Sequence, residues 1–141
     1  MIMPHTRLLK FTFAYDELYG IPLVPINFFY KDGTPTQPFN NAILDSGASE
    51  ITIPKSLSDL LELKLRPRTR PAQTAGGEVK AFTATTDFNL GRGGRVVKYT
   101  DIDICVMENC PAILVGIRPV FEDYKVMIMA YKRKCILEPK E

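Results

Sequence analysis

The sequence predicts an all-β domain, a small barrel or sandwich with one or two short helices. Three observations point there. Apolar and polar residues alternate at period two in several short stretches. Gly, Pro and Asp-Gly clusters cut the chain into runs of strand length. Only one stretch, opening at Pro54, has convincing helical spacing. A chain of 141 residues is long enough for one domain with a real core. Its 45% hydrophobic and 24% charged residues are ordinary for a globular protein.

Taken in order, Leu9, Phe11, Phe13 and Tyr15 alternate with Lys10, Thr12 and Ala14, the pattern of a half-buried strand. Residues 21–30 are apolar and aromatic but carry Pro22 and Pro25. Proline cannot donate to a ladder, so the first half is expected to be an edge or irregular strand. Lys31-Asp32-Gly33-Thr34 is a hairpin turn signal, and the chain returns through residues 41–44. Residues 51–53 form a short strand. Pro54 then opens a helix, with Ser56 and Asp59 as a capping pair and Leu57, Leu60 and Leu61 as its apolar face.

Residues 65–71 are a proline- and arginine-rich connection, and residues 74–79 a glycine turn between strands. Strands follow at about 79–90 and 96–107, joined by Gly91-Arg92-Gly93-Gly94. In the second, Ile102, Ile104 and Val106 alternate with Asp101, Asp103 and Cys105. Residues 112–115 are continuously apolar and stop at Gly116, which predicts a fully buried central strand. Residues 118–124 suit a short helix with Pro119 near its start. Residues 125–131 and 135–137 form a last hairpin across Lys132-Arg133-Lys134. Residues 1–20 are read as an N-terminal strand and extension, and residues 21–141 as a single domain. There is no internal repeat or low-complexity linker.

Composition narrows the function. A net charge of +2 and a pI near 8.4 are too mild to argue for nucleic acid. The basic clusters at 64–70 and 132–134 lack the interleaved aromatic residues of a base-stacking surface and read as solvated turns. RNA binding through the first of them is the weakest reading. Cys105, Cys110 and Cys135 are odd in number and have no Cys-x-x-Cys spacing, so they read as reduced, buried, small residues. No apolar stretch has membrane-spanning length, and the N-terminus lacks a signal-peptide pattern. A cytoplasmic protein without membrane or nucleic-acid partners is expected. The one histidine, His5, lies near the N-terminus. Ser–His and Cys–His mechanisms and a multi-histidine metal site are therefore disfavoured. No metal or cofactor is expected, and any acid or base should be a carboxylate.

The most informative stretch is 42–53, AILDSGASEITI. An apolar run drives straight into Asp45, and Ser46-Gly47-Ala48-Ser49 follows before a second apolar run. Asp, Ser and Gly are ordinary turn formers, so the triplet alone is weak. The apolar lead-in, Ala48, the Ser49 hydroxyl and the apolar exit make it far more specific. A carboxylate is thereby placed where core meets loop, and desolvation there disfavours its charged form. Asp16, Asp32, Asp101 and Asp103 are poorer candidates. Asp32 sits in a turn, and Asp101 and Asp103 alternate with apolar residues and so face solvent.

On three elements the chain resembles the retropepsin family of single-domain, retroviral-type aspartic proteases. They are the apolar-Asp-Ser-Gly-Ala-Ser run at 43–49, the glycine hairpin Ala75-Gly76-Gly77, and the run Leu114-Val115-Gly116 with its downstream helix and hairpin. The likeness spans residues 22–137. It implies a small closed barrel of the retropepsin-like acid protease type that works as a twofold homodimer. It also implies cleavage of a peptide or unfolded-protein substrate. Asp45, Ser46 and Gly47 would be the catalytic triplet, and Ala48, Ser49, Thr74, Ala75, Gly76 and Gly77 would meet substrate. Leu114, Val115 and Gly116 would support the loop from behind, and the glycine hairpin would be a flap. Three departures stand out. Ile117 holds the position where the family often has an arginine, which comes one residue later as Arg118; Ser46 stands where many members have threonine, keeping the hydroxyl; and residues 1–19 have no clear counterpart.

Hydrolysis of a peptide without histidine or metal needs one carboxylate to activate water and one carboxylic acid to polarise the carbonyl. One chain carries one Asp-Ser-Gly, so a twofold-related copy must supply the second, and two facing carboxyls share one proton. Ser46 would bond across the pair, and Gly47 would let its backbone N–H approach the carboxylate. The alternative is a non-catalytic dimeric peptide-binding or scaffold module of the same fold. The intact Asp45-Ser46-Gly47 argues against it.

Overall fold

Twelve strands alternate with two short helices along the chain, in a computed structural model that describes residues 8–16, 18, 20–68, 71–74 and 76–140. In order they are β1 (Phe11–Asp16), β2 (Ile21–Phe28), β3 (Phe39–Leu44), β4 (Thr52–Pro54), α1 (Lys55–Leu60), β5 (Arg66–Pro67) and β6 (Ala72–Thr74). There follow β7 (Gly77–Val79), β8 (Ala81–Arg92), β9 (Arg95–Met107), β10 (Leu114–Val115), α2 (Val120–Asp123), β11 (Tyr124–Met129) and β12 (Lys134–Pro139). Ten strands share one sheet in the order β11-β12-β1-β2-β3-β10-β4-β9-β8-β5. Because β2 also pairs with β8, the strands β2-β3-β10-β4-β9-β8 close into a six-stranded barrel. The expectation of an all-β, small closed barrel with two short helices is met.

The barrel is filled by alternate residues of its strands. Val24, Ile26 and Phe28 from β2, Ile53 from β4, Ala84, Phe88 and Leu90 from β8, and Tyr99 and Ile104 from β9 are fully buried. Phe88 stacks on Tyr99 with ring centroids 4.9 Å apart. Such a stack contributes about 0.5–1.5 kcal/mol beyond the area it buries. The long β8–β9 hairpin runs from Ala81↔Met107 to Arg92↔Arg95 and turns at Gly93-Gly94. Outside the barrel, β1 joins β2 to β12, and β12 carries β11.

Several expectations need correction. The proline-containing segment is irregular, as one of the two expected alternatives had it, but it is not an edge strand. β2 pairs with β1, β3 and β8, and its register shifts between Val24 and Ile26. Pro25 falls in that irregularity, where its missing N–H costs no ladder bond. Ser56 does not cap α1. The N-cap is Pro54 with no side-chain capping bond, and Ser56 lies inside the helix. The charged pair there is Lys55–Asp59, at 3.2 Å. Leu57 and Leu61 are buried, but Leu60 is 58% exposed, because six helical residues are too few to bury a third leucine. The connection at 65–71 contains β5, paired with Thr83 and Phe82. Cys105 is buried, as expected, in a small cluster with Ala81, Met107 and Cys110 apart from the main core.

Candidate active site

Asp45 begins where β3 ends. β10 runs parallel to β3, pairing Leu114 with Ile43 and Val115 with Leu44. The Asp45 N–H extends this ladder by donating to the Val115 C=O at 3.0 Å. Ala42 and Leu44 are buried, so the strand delivers a half-buried carboxylate to the barrel end. The loop then tightens on itself. The Ala48 N–H donates to the Asp45 C=O at 3.1 Å, and the Gly47 N–H donates to Asp45 Oδ1 at 2.8 Å. Ser46, Gly47 and Ser49 are exposed and Ala48 is half-buried.

The segment after β10 passes behind this loop. The Ile117 N–H donates to the Ala48 C=O at 2.9 Å, and the Arg118 N–H to the Ser49 C=O at 3.0 Å. Glu50 and Arg118 form a parallel bridge. Gly116 is buried in the crossing, where a Cβ would lie 2.5 Å from the Glu50 carbonyl oxygen and closer still to that of Ala48. Leu114, Val115 and Gly116 are thus brought directly against Asp45–Ser49.

β6 and β7 form a separate two-stranded hairpin, pairing Ala72↔Val79, Gln73↔Glu78 and Thr74↔Gly77. Gly77 has φ +109, a conformation that glycine adopts without strain. Thr74, Gly76 and Gly77 therefore meet at its tip, and Ala75 lies outside the described residues. Ala72 and Val79 pack against Ala81, Cys105, Met107 and Cys110 on the β8–β9 side. In a single chain this hairpin is tied to the wall beside it.

Arg118 is exposed, and none of the three ion pairs among the described residues includes it. The ion pair at the end of the Asp45 loop joins Glu50 Oε1 to Arg68 Nη1 at 2.8 Å, with side chains 11% and 26% exposed. Neither residue was picked out from the sequence as a site residue. A carboxylate five positions after Asp45, entering an apolar strand, was the available signal for Glu50. Arg68 was hidden in a basic cluster. Cys105, Cys110 and Cys135 are free and buried. Burial pushes the Cys105 thiol up, an effect that Arg68 partly opposes. Among the described residues no three His, Cys, Asp or Glu side chains gather as a metal site, and His5 lies outside them.

A closed six-stranded barrel with an Asp-Ser-Gly loop braced by a parallel strand pair defines the aspartic protease class of fold. The sequence model described as aspartyl protease matches residues 29–118, and the chain belongs to that family. Two solved structures share its fold. A retropepsin-like aspartic protease from Rickettsia conorii superposes with a TM-score of 0.63 at 22% identity, over 93% of this chain and 100% of that one. EIAV protease in complex with the inhibitor HBY-793 superposes with a TM-score of 0.52 at 19% identity, over 77% of this chain and 93% of that one. No curated protein matches the sequence. No helix among the described residues is long and apolar enough to cross a membrane.

Proposed function

We propose that this protein is an aspartic endopeptidase whose site is completed by a second copy of the chain. The observation that carries the reading is the Asp45 loop. It holds a half-buried carboxylate at the end of a buried strand, fixes it through the Gly47 N–H and clamps it from behind by the 116–118 backbone. Two such loops facing across a twofold axis would place two carboxyls on one water. One, ionised, takes a proton from the water as it attacks the scissile carbonyl. The other, protonated, donates to the carbonyl oxygen. Ser46, exposed beside Asp45, would bond to the facing loop. The β6–β7 hairpin would act as the flap, with Thr74, Ala75, Gly76 and Gly77 covering the bound peptide and excluding water.

The test is Asp45→Asn, assayed on an unfolded protein at matched folding and dimer content. Cleavage should fall by several orders of magnitude while the circular dichroism spectrum and sedimentation coefficient stay put. Cleavage retained by the pure variant would overturn the assignment, and binding without cleavage by both proteins would mark a non-catalytic module.

A further inference from the structure

Glu50 occupies a position that allows it little movement. Its carbonyl lies against Gly116 and its backbone bridges Arg118. The next residue, Ile51, accepts the Cys105 N–H at 2.8 Å. Its side chain is nearly buried, and a carboxylate removed from water must be paired. The partner is Arg68, at 2.8 Å. Arg68 lies between β5 and β6, four positions before the hairpin's first residue, Ala72, and its guanidinium also reaches Thr83 Oγ1 at 3.4 Å. An apolar pair could fill this site at equal or better stability, since desolvation offsets most of what a buried ion pair contributes. What the ion pair adds is a directed link between two elements that are distant in sequence.

Given the peptidase reading above, on which this depends, we propose that Glu50 and Arg68 are positioning residues that hold the hairpin in register with the Asp45 loop. Neither touches the reacting atoms. Arg68 anchors the segment entering the hairpin to a carboxylate that is itself fixed to the backbone behind Asp45. When the hairpin closes on a peptide, it closes against a reference shared with the reacting groups.

The consequence is a particular kinetic signature. Loosening the hairpin weakens the closed complex before and during the reaction alike, which raises KM and leaves kcat nearly unchanged. Glu50→Gln and Arg68→Met should each raise KM about tenfold, with kcat within about twofold of the parent. Arg68→Lys, which keeps the charge, should recover most of the loss. The double variant should match Glu50→Gln, because both remove the same link without leaving a buried carboxylate unpaired. Hydrogen exchange on the whole protein gives a readout independent of activity. In Glu50→Gln, amides at 72–74 and 77–79 should exchange about tenfold faster, while those of Ala48, Ile117 and Arg118 stay protected.

A purely structural role predicts a lower melting temperature and a smaller active fraction at unchanged KM, with no selective exchange in the hairpin. That outcome overturns the proposal. Unaltered hairpin exchange in Glu50→Gln overturns it too. If the parent protein cleaves nothing, the peptidase reading fails, and the exchange comparison still decides whether the pair anchors the hairpin.

Discussion

Adding a single methyl group at Gly116 should dislodge the Asp45 loop. The Cβ of Gly116→Ala would stand 2.5 Å from the Glu50 carbonyl oxygen, closer to that of Ala48, and 2.8 Å from the Ala48 carbonyl carbon. All three atoms are backbone, so no side-chain rotation can relieve the clash. The strands must separate by about 1 Å to reach an ordinary contact distance. That movement strains the two bonds crossing the same gap, from Ile117 to Ala48 at 2.9 Å and from Arg118 to Ser49 at 3.0 Å. Overpacking of this kind costs about 1–3 kcal/mol, and each weakened bond adds up to about 1 kcal/mol. A loss of about 2–4 kcal/mol is expected. With a urea slope of roughly 1.5–2 kcal/mol/M, the midpoint should fall by about 1–3 M. The chain has no tryptophan, so far-UV circular dichroism is the suitable probe. Protein concentration should be held fixed in case subunit association contributes to stability. A midpoint unchanged within error would show that the crossing at Gly116 is not as tight as described, and the bracing argument for Asp45 would fall with it.

Gly76→Val, at the hairpin tip, should leave the melting temperature within a few degrees and lower catalytic efficiency at least about tenfold. Equal activity would make the hairpin an ordinary turn. Specific activity should decline on dilution as the second Asp45 is lost, and a sedimenting monomer with full activity would exclude a shared site. Stability should drop in alkali. Burial pushes the Cys135 thiol up to about 11 and the Tyr124 hydroxyl up to about 12, and raises that of Tyr99 further through burial and the Asp123 carboxylate. A raised value means the fold favours the protonated form. The stabilisation is complete below about pH 9, where the unfolded thiol begins to ionise, and is lost as pH climbs towards 12. A melting temperature flat from pH 9 to 11 would contradict the burial of these groups.

Much of this molecule was legible from local pattern. Alternation located β1 and β9, and the Asp-Gly turn signal located the bend at Asp32-Gly33. There the Thr34 N–H and hydroxyl bond to Asp32 Oδ1 and hold its carboxyl below the usual range. Asp45 was legible because a carboxylate ending a buried run breaks the expected order of residues. What escaped was set by partners far along the chain. Pro22 and Pro25 suggested an edge because nothing local reveals that β3 and β8 flank β2. Ser56 looked like a cap because its spacing to Asp59 fits, whereas the chain enters α1 in an extended conformation at Pro54. Glu50 was overlooked because its partner is eighteen positions away, in a segment that reads as a solvated loop.

The pairing of β1 with β12 has a consequence for synthesis. Phe11 lies opposite Leu137 and Phe13 opposite Cys135, so an early strand takes its neighbour from almost the last part of the chain. At about 5–20 residues per second, a ribosome exposes β1 roughly 6–25 s before β12 emerges. During that interval the stacked rings of Phe11 and Phe13 have no finished sheet to enter. β2 waits in the same way for β8. Long-range pairing of this kind also slows the search itself. The nascent protein therefore depends on whatever shields an apolar strand near the exit tunnel, and faster translation should shorten its exposure.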